Sequence, residues 1–240
     1  MTGSEGEGAI AFICAMPMEI RPLVKRLKLK QAEIRGVEIK RGQVGRREVV
    51  AIVTGMGTKL ARAGIESLLG AVRVGEVVVV GITGALDGDA KIGSMVFPEV
   101  VVDSATGREY RPARRGPGPW KGRMWTGDEL TTDPAAIADL RARGVVALDM
   151  ETAALADVCE SHGIPWSVFR AFSDRATDGA LNEDVFSLTN QDGTPNAKAV
   201  AIYLARNPME IPKLAKLARG AKLAADQAAS AAIGAFSVSL

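Results

Sequence analysis

Four short apolar runs, "AIAFICAM", "EVVVVGITGAL", "VVALDM" and "PWSVFRAF", constrain this chain more than any other feature. Each is close to continuous in apolar character, as a strand buried on both faces must be. Between them lie segments of helical period. These run from Pro17, a residue suited to a first turn, to Leu27; from Lys59 to Val72; through "DPAAIADLRARG", with Asp133 as cap and Gly144 as stop; and through "ETAALADVCESHG". Doubly covered strands alternating with helices predict an α/β domain with a mainly parallel sheet. "VEIKRGQVGRREVVAIVTG" predicts a hairpin turning near Gly45, and "GSMVFPEVVVD" a further extended segment. The Gly-, Pro- and Arg-rich stretch from Arg108 to Arg123 reads as a mobile, solvated loop. From Asn196 onward the chain reads as helical, interrupted at Pro208 and Pro212. The predicted organisation is a disordered tail over 1–8, one domain over 9–195, and a helical extension over 196–240 packed on or beside it.

A chain of 240 residues can bury a sizeable core as one domain. Its 47% hydrophobic and 24% charged residues exclude a disordered or fibrous chain. The net charge of +2, without massed Lys and Arg, leaves no electrostatic footprint for nucleic acid and favours a small-molecule partner. The polar, acidic, glycine-rich opening lacks the pattern of a signal peptide, and no apolar run reaches the ~18 residues of a membrane helix, so a cytoplasmic location is expected. Cys14 and Cys159 are too few for a disulfide framework and read as buried thiols. The one histidine, His162, precedes Gly163 and Pro165 and reads as a cap on a helix C-terminus. A single histidine argues against a Ser-His-Asp triad or a multi-histidine zinc site. Acid–base chemistry therefore falls to carboxylates.

Four signals fall immediately after predicted strands: Glu19, the segment Gly81 to Leu86, Glu151 and Asp174. Ligands of open α/β sheets bind at the carboxyl ends of parallel strands, so all four can line one cleft. An acidic residue in such a place is also a common helix cap, and it is the recurrence at one sheet edge that points to a site. Three carboxylates without histidine suit scission of a glycosidic bond, in which one acid protonates the leaving group and another activates water. A glutamate can also accept hydrogen bonds from two ribose hydroxyls, and an aspartic acid can share its proton with a purine ring nitrogen.

At "ICAMPMEIRPL", "VTGMGTKLARAG", "GITGALDGDAKIG", "WTGDEL", "LDMETAALADVC" and "FRAFSD", in that order, the sequence resembles the nucleoside phosphorylase/nucleosidase superfamily, over about residues 9 to 185. It is most similar to the 5′-methylthioadenosine/S-adenosylhomocysteine nucleosidases of that superfamily. The resemblance implies a three-layer α/β/α fold around a mixed, mostly parallel twisted sheet. It implies hydrolysis of the N-glycosidic bond of a 5′-modified adenine nucleoside, with water as nucleophile, no metal or organic cofactor, and a homodimer. By the same resemblance Glu19 positions and activates the water, Glu151 binds the ribose hydroxyls, Met150 packs on the sugar, and Asp174, oriented by Ser173, protonates N7 of adenine. Asp149 supports them. Ile82, Thr83, Gly84 and Leu130 complete the implied substrate-binding set.

The sequence departs from that pattern in several places. Glu129, Leu130 and Thr131 stand where many relatives carry an aromatic residue that stacks on the purine, with Trp120 and Trp125 as substitutes to consider. Ile82 replaces a hydroxyl-bearing residue. Phosphorylases hold phosphate with arginines near such loops, whereas Val79 and Val80 precede Gly81, so no arginine is expected beside it; Arg21 reads as a solvated helix residue. The segment after residue 190 resembles tails of phosphorylase-like proteins of hopanoid lipid synthesis. The alternatives implied are a phosphorylase, a nucleosidase for a bulkier 5′-substituted adenosine such as an adenosyl lipid, and a nucleoside-binding sensor without turnover.

Overall fold

A computed structural model describes residues 8–179, 181–190 and 192–237; the expected tail falls, except for Gly8, outside them. β1 (Ala9–Cys14) leads into α1 (Pro17–Leu27), which opens on its proline. An antiparallel meander follows, β2 (Lys30–Ile34), β3 (Val37–Val44) and β4 (Arg47–Val53), turning at Gly36 and Gly45 with positive φ. Next come α2 (Thr58–Ala71) and the twelve-residue β5 (Val74–Ala85). The short strands β6 (Met95–Val96), β7 (Val100–Asp103), β8 (Glu109–Tyr110) and β9 (Arg123–Thr126) precede α3 (Pro134–Ala142), β10 (Val145–Asp149), α4 (Thr152–Ser161) and β11 (Trp166–Arg175). A single turn of helix, α5 (Glu183–Phe186), then α6 (Ala197–Arg206) and α7 (Ile211–Ser237) close the fold.

The strands form one mixed sheet, parallel at its centre, where β4, β1, β5 and β11 lie side by side, and antiparallel at its hairpins. Along β1 and β5 the two-residue period sends Ile10, Phe12, Val78 and Val80 to one face and Ala11, Ile13, Val77 and Val79 to the other. Both sets are fully buried because both faces are covered. α2 and α4 cover one face with Ile65, Leu68 and Leu155. α1 and α7 cover the other, α7 through Ala224, Ala228, Ala229 and Ala232, whose three- and four-residue spacings put methyl groups in a stripe that lets the helix approach β5 and β11 closely.

β5 organises the site. β11 runs along one of its edges from Val77 to Ala85, while β1 occupies the other edge only as far as Val79. Beyond that point β10 takes the same edge in the antiparallel sense, pairing Leu148 and Ala147 with Gly84 and Ala85. The ends of β1, β5, β10 and β11 therefore converge where the sheet changes partners, which opens a crevice.

Two expectations are corrected, and one strand had no expectation at all. β2 carried no strand prediction, since "KQAEI" has two charges in five residues and no apolar run, as an exposed strand at the sheet edge can. Pro212 does not interrupt the last helix; it sits in the first turn of α7, where its missing N–H costs nothing. The basic stretch after Arg108 is not a free loop: Arg115 pairs with buried Glu76 at 2.9 Å, the Ala113 N–H donates to the Trp166 carbonyl, and Gly116 lies under Phe97 and Phe169. Elsewhere Asp133 caps α3 by accepting from the Ala136 N–H, and His162 closes α4 with Nδ1 2.9 Å from the Val158 carbonyl oxygen. Both thiols are buried, and burial pushes Cys159 up to about 12.

Candidate active site

Glu19 is the third residue of α1, where a glutamate can reach back to the free N–H groups at the helix start. Its Oε2 accepts from the N–H of Ala15 at 2.8 Å and of Met16 at 2.9 Å, and its Oε1 accepts from the N–H of Ile82 at 2.8 Å. The carboxylate thereby bridges β1 to the end of β5. Gly81 makes room for it: a Cβ there would lie 2.3 Å from Glu19 Oε1. Burial raises the Glu19 pKa above its ordinary value, with Arg170 and the three N–H donors opposing.

At the junction of β10 and α4, Asp149 and Glu151 divide two tasks. Asp149 caps the helix, accepting from the Thr152 N–H at 2.9 Å and, more weakly, from the Glu151 N–H at 3.3 Å, and it also accepts from the Thr126 hydroxyl. With the helix end satisfied, Glu151 has no capping bond and turns its side chain to the crevice. There Oε1 accepts from the Gly57 N–H and Oε2 from Arg170 Nη2, both at 3.0 Å. Each oxygen keeps a lone pair for a ligand. Burial first, then nearby Asp149, raises Glu151 to about 7 against the pull of Arg170.

Arg170, in the middle of β11, ties these groups together. It is 3% exposed, and its guanidinium spans Glu151, Asp149 at 2.7 Å, the Thr152 hydroxyl and the Ile82 carbonyl at 2.6 Å. Burial alone would lower its pKa, but Asp149, Glu151 and Glu19 outweigh it and the net shift is upward. This corrects the expectation that no arginine stands beside the Gly81 loop: one arrives from another strand. Arg170 stands in the run "PWSVFRAF" with no role assigned from sequence, although a lone charge inside an otherwise apolar, doubly covered strand demands buried counter-charges.

Asp174 is the last residue but one of β11, with the Ser173 hydroxyl 2.5 Å from its Oδ1. Burial raises its pKa, Ser173 lowers it, and Asp178 adds a smaller upward push. Glu19, Glu151, Asp174, Ser173 and Met150 all line one cavity of about 1250 Å³, and so do Ile82, Thr83, Gly84 and Leu130. The hydroxyl of Thr83 faces inward, donating to the Leu148 carbonyl at 2.7 Å, so Thr83 contributes wall rather than a donor. Arg21 is exposed and lies outside the lining. Trp120 packs on Phe97 away from the cavity, while Trp125 belongs to its wall with Arg143 4.5 Å from the ring centroid. Asp157 also lines the cavity, paired to Arg62 and Arg108.

A sheet that changes partners at a crevice, with three carboxylates around one buried arginine, describes an enzyme cleft for a polar small molecule. The sequence profile of the phosphorylase superfamily matches residues 9–119 and 111–206, and the chain belongs to that superfamily. Within it the chain groups with nucleosidases, which cleave N-glycosidic bonds. The 5′-methylthioadenosine/S-adenosylhomocysteine nucleosidase of Bacillus thuringiensis (strain Al Hakam) is 30% identical over 200 residues, covering 70% of this chain and 86% of the relative. In fold the chain is similar to the S-adenosylhomocysteine nucleosidase of Streptococcus pyogenes, solved with 5-methylthiotubericidin, at a TM-score of 0.71 and 18% identity over 99% of this chain and 100% of the other. It is also similar to futalosine hydrolase of Helicobacter pylori, at 0.67 and 16% identity over 92% and 94%.

Proposed function

We propose that the protein hydrolyses the N-glycosidic bond of a 5′-modified adenine nucleoside, with 5′-methylthioadenosine and S-adenosylhomocysteine as its substrates. The observation that carries this reading is the seat of Glu19. The N–H groups of Ala15, Met16 and Ile82, at a helix start and a strand end, are the donors that would otherwise receive an anion, and the protein's own carboxylate takes them. A phosphate would meet a carboxylate and a guanidinium already committed to Asp149 and Glu151. A neutral water meets a base. Glu19 Oε1, with one bond already accepted, keeps a lone pair for a water proton, and its raised pKa makes it a better acceptor near neutrality.

In this reading Asp174 is the general acid, and burial, which raises its pKa, favours that role. Its proton goes to N7 of adenine as the C1′–N9 bond breaks, the water oxygen bonds to C1′, and the water proton goes to Glu19. Adenine leaves neutral. Glu151 accepts from the ribose hydroxyls with its remaining lone pairs, and the negative charge on both glutamates stabilises the oxocarbenium-like centre. Met150 and Leu130 give apolar wall to sugar and base.

The test is adenine release, followed by chromatography, from both nucleosides with and without phosphate. Release in phosphate-free buffer is expected. Release that requires phosphate would make the enzyme a phosphorylase, and unchanged substrate that stays bound would make it a sensor.

One observation favours a second reading on the same chemistry. The cavity exceeds the ~300–1,000 Å³ usual for a small-molecule site, and Val185, Phe186, Leu188, Leu214 and Leu217 give it an apolar wall. That volume suits a bulkier, apolar 5′ substituent, such as that of an adenosyl lipid. Adenosines with 5′-alkyl chains of increasing length separate the two: kcat/KM rises with chain length under the second reading and falls under the first.

A further inference from the structure

Five large apolar side chains are exposed among the described residues, and four of them, Ile202, Met209, Ile211 and Leu223, lie between positions 202 and 223. Met209, at the turn that joins α6 to α7, is 89% exposed. A soluble chain ordinarily scatters such residues singly. The same segment concentrates charge, contrary to the expectation that Lys and Arg are not massed anywhere in the chain. From Asn196 to Leu223 the sequence has six cations, Lys198, Arg206, Lys213, Lys216, Arg219 and Lys222, and one anion, Glu210. That is a net +5 in a chain whose total is +2, so the remaining residues sum to −3. Lys213 is neutralised by Glu210 at 3.2 Å, whereas Lys198, Arg206 and Lys222 have no ion-pair partner among the described residues.

We propose that this α6–α7 corner docks on the surface of an anionic lipid bilayer. Ile202, Met209 and Ile211 would enter the boundary between headgroups and acyl chains while the lysines and arginines meet the acidic headgroups, the pairing that holds interfacial amphipathic helices. The partner is chosen by chemistry. A second copy of the chain would set one +5 surface against another in a two-fold contact. Nucleic acid would match the charge and leave Met209 and Ile211 in water. No helix among the described residues is long and apolar enough to cross a membrane, so the contact is peripheral.

The experiment is flotation of the intact protein with vesicles of equal parts phosphatidylglycerol and phosphatidylcholine, and with phosphatidylcholine alone. Co-flotation with the anionic vesicles only is expected, weakening as salt is raised. A cation near an anionic surface contributes about fivefold in partitioning, so Lys198→Glu with Lys222→Glu should lower binding at least ~25-fold. Met209→Asp with Ile211→Asp should also abolish co-flotation. None of these four residues lines the cavity, and unchanged thermal midpoints will show that the variants fold. Failure to float with anionic vesicles overturns the proposal. So does flotation indifferent to both double variants, or a Met209→Asp/Ile211→Asp variant that turns a dimer into a monomer, which would make the corner a contact between copies.

Discussion

At the scale of single residues, the site rests on carboxylates whose surroundings hold them away from ordinary behaviour. Asp174 is the simplest case, a carboxyl whose pKa burial raises while the hydroxyl of Ser173 at its elbow pulls the other way. Replacing it with asparagine keeps the shape and removes the proposed acid, so kcat for adenine release should fall about 10²- to 10⁴-fold with the thermal midpoint unchanged. Near-normal turnover would remove Asp174 from the mechanism. Glu151 carries a consequence for stability. Its folded pKa of about 7 lies above the ordinary 4.5, so the folded state holds the proton more tightly than the unfolded chain does. Its contribution to stability is therefore full below about 4.5 and is lost as pH rises through about 7. Thermal melts of Glu151→Gln and the parent from pH ~5 to ~8 should show the variant gaining on the parent as pH rises. A constant difference would mean that Arg170 keeps Glu151 ionised throughout.

At the scale of elements, the site exists because strand ends and helix starts share their unsatisfied backbone groups. The start of α1 and the end of β5 are joined by Glu19, and the start of α4 is capped by Asp149, which frees Glu151 for the crevice. Gly81 is the joint where a side chain cannot be added. A Cβ would come 2.3 Å from Glu19 Oε1 and 3.1 Å from Arg170 Nη1. Gly81→Ala should displace the carboxylate by a fraction of an ångström and lower kcat on the order of 10²-fold, at a stability cost of about 1–3 kcal/mol. Paired measurements of turnover and chemical denaturation check this. Full activity in the alanine variant would show that the Glu19 position is not critical.

At the scale of the molecule, the C-terminal helix is a layer of the core. Ala228 and Ala229 are wholly buried against the face made by Phe12, Val78, Val80 and Phe169. Ala228→Leu should cost about 1–3 kcal/mol through overpacking, read as a lower denaturant midpoint with unchanged slope. The other half of α7, with Leu214 and Leu217, walls the cavity, so the helix that completes the sheet also bounds the site. A substitution tolerated without loss would mean that α7 packs loosely on the sheet.

Strands buried on both faces write themselves as unbroken apolar runs, and for that reason the α/β class and the central strands were legible from composition and period alone. The gathering of Glu19, Glu151 and Asp174 at one cavity was legible too, because residues that follow parallel strands collect at one edge of the sheet. Asp133 and His162 were legible as caps because capping is local. β2 was not, since an exposed edge strand needs no apolar signature. Tertiary structure alone decided that Arg170 joins Glu151 and Asp149 beside the Gly81 loop, that the basic stretch is pinned by buried Glu76, and that one cavity spans the site and the last helix. The reason is common to all three. They depend on side chains far apart in sequence meeting in three dimensions, and no local period records such a meeting.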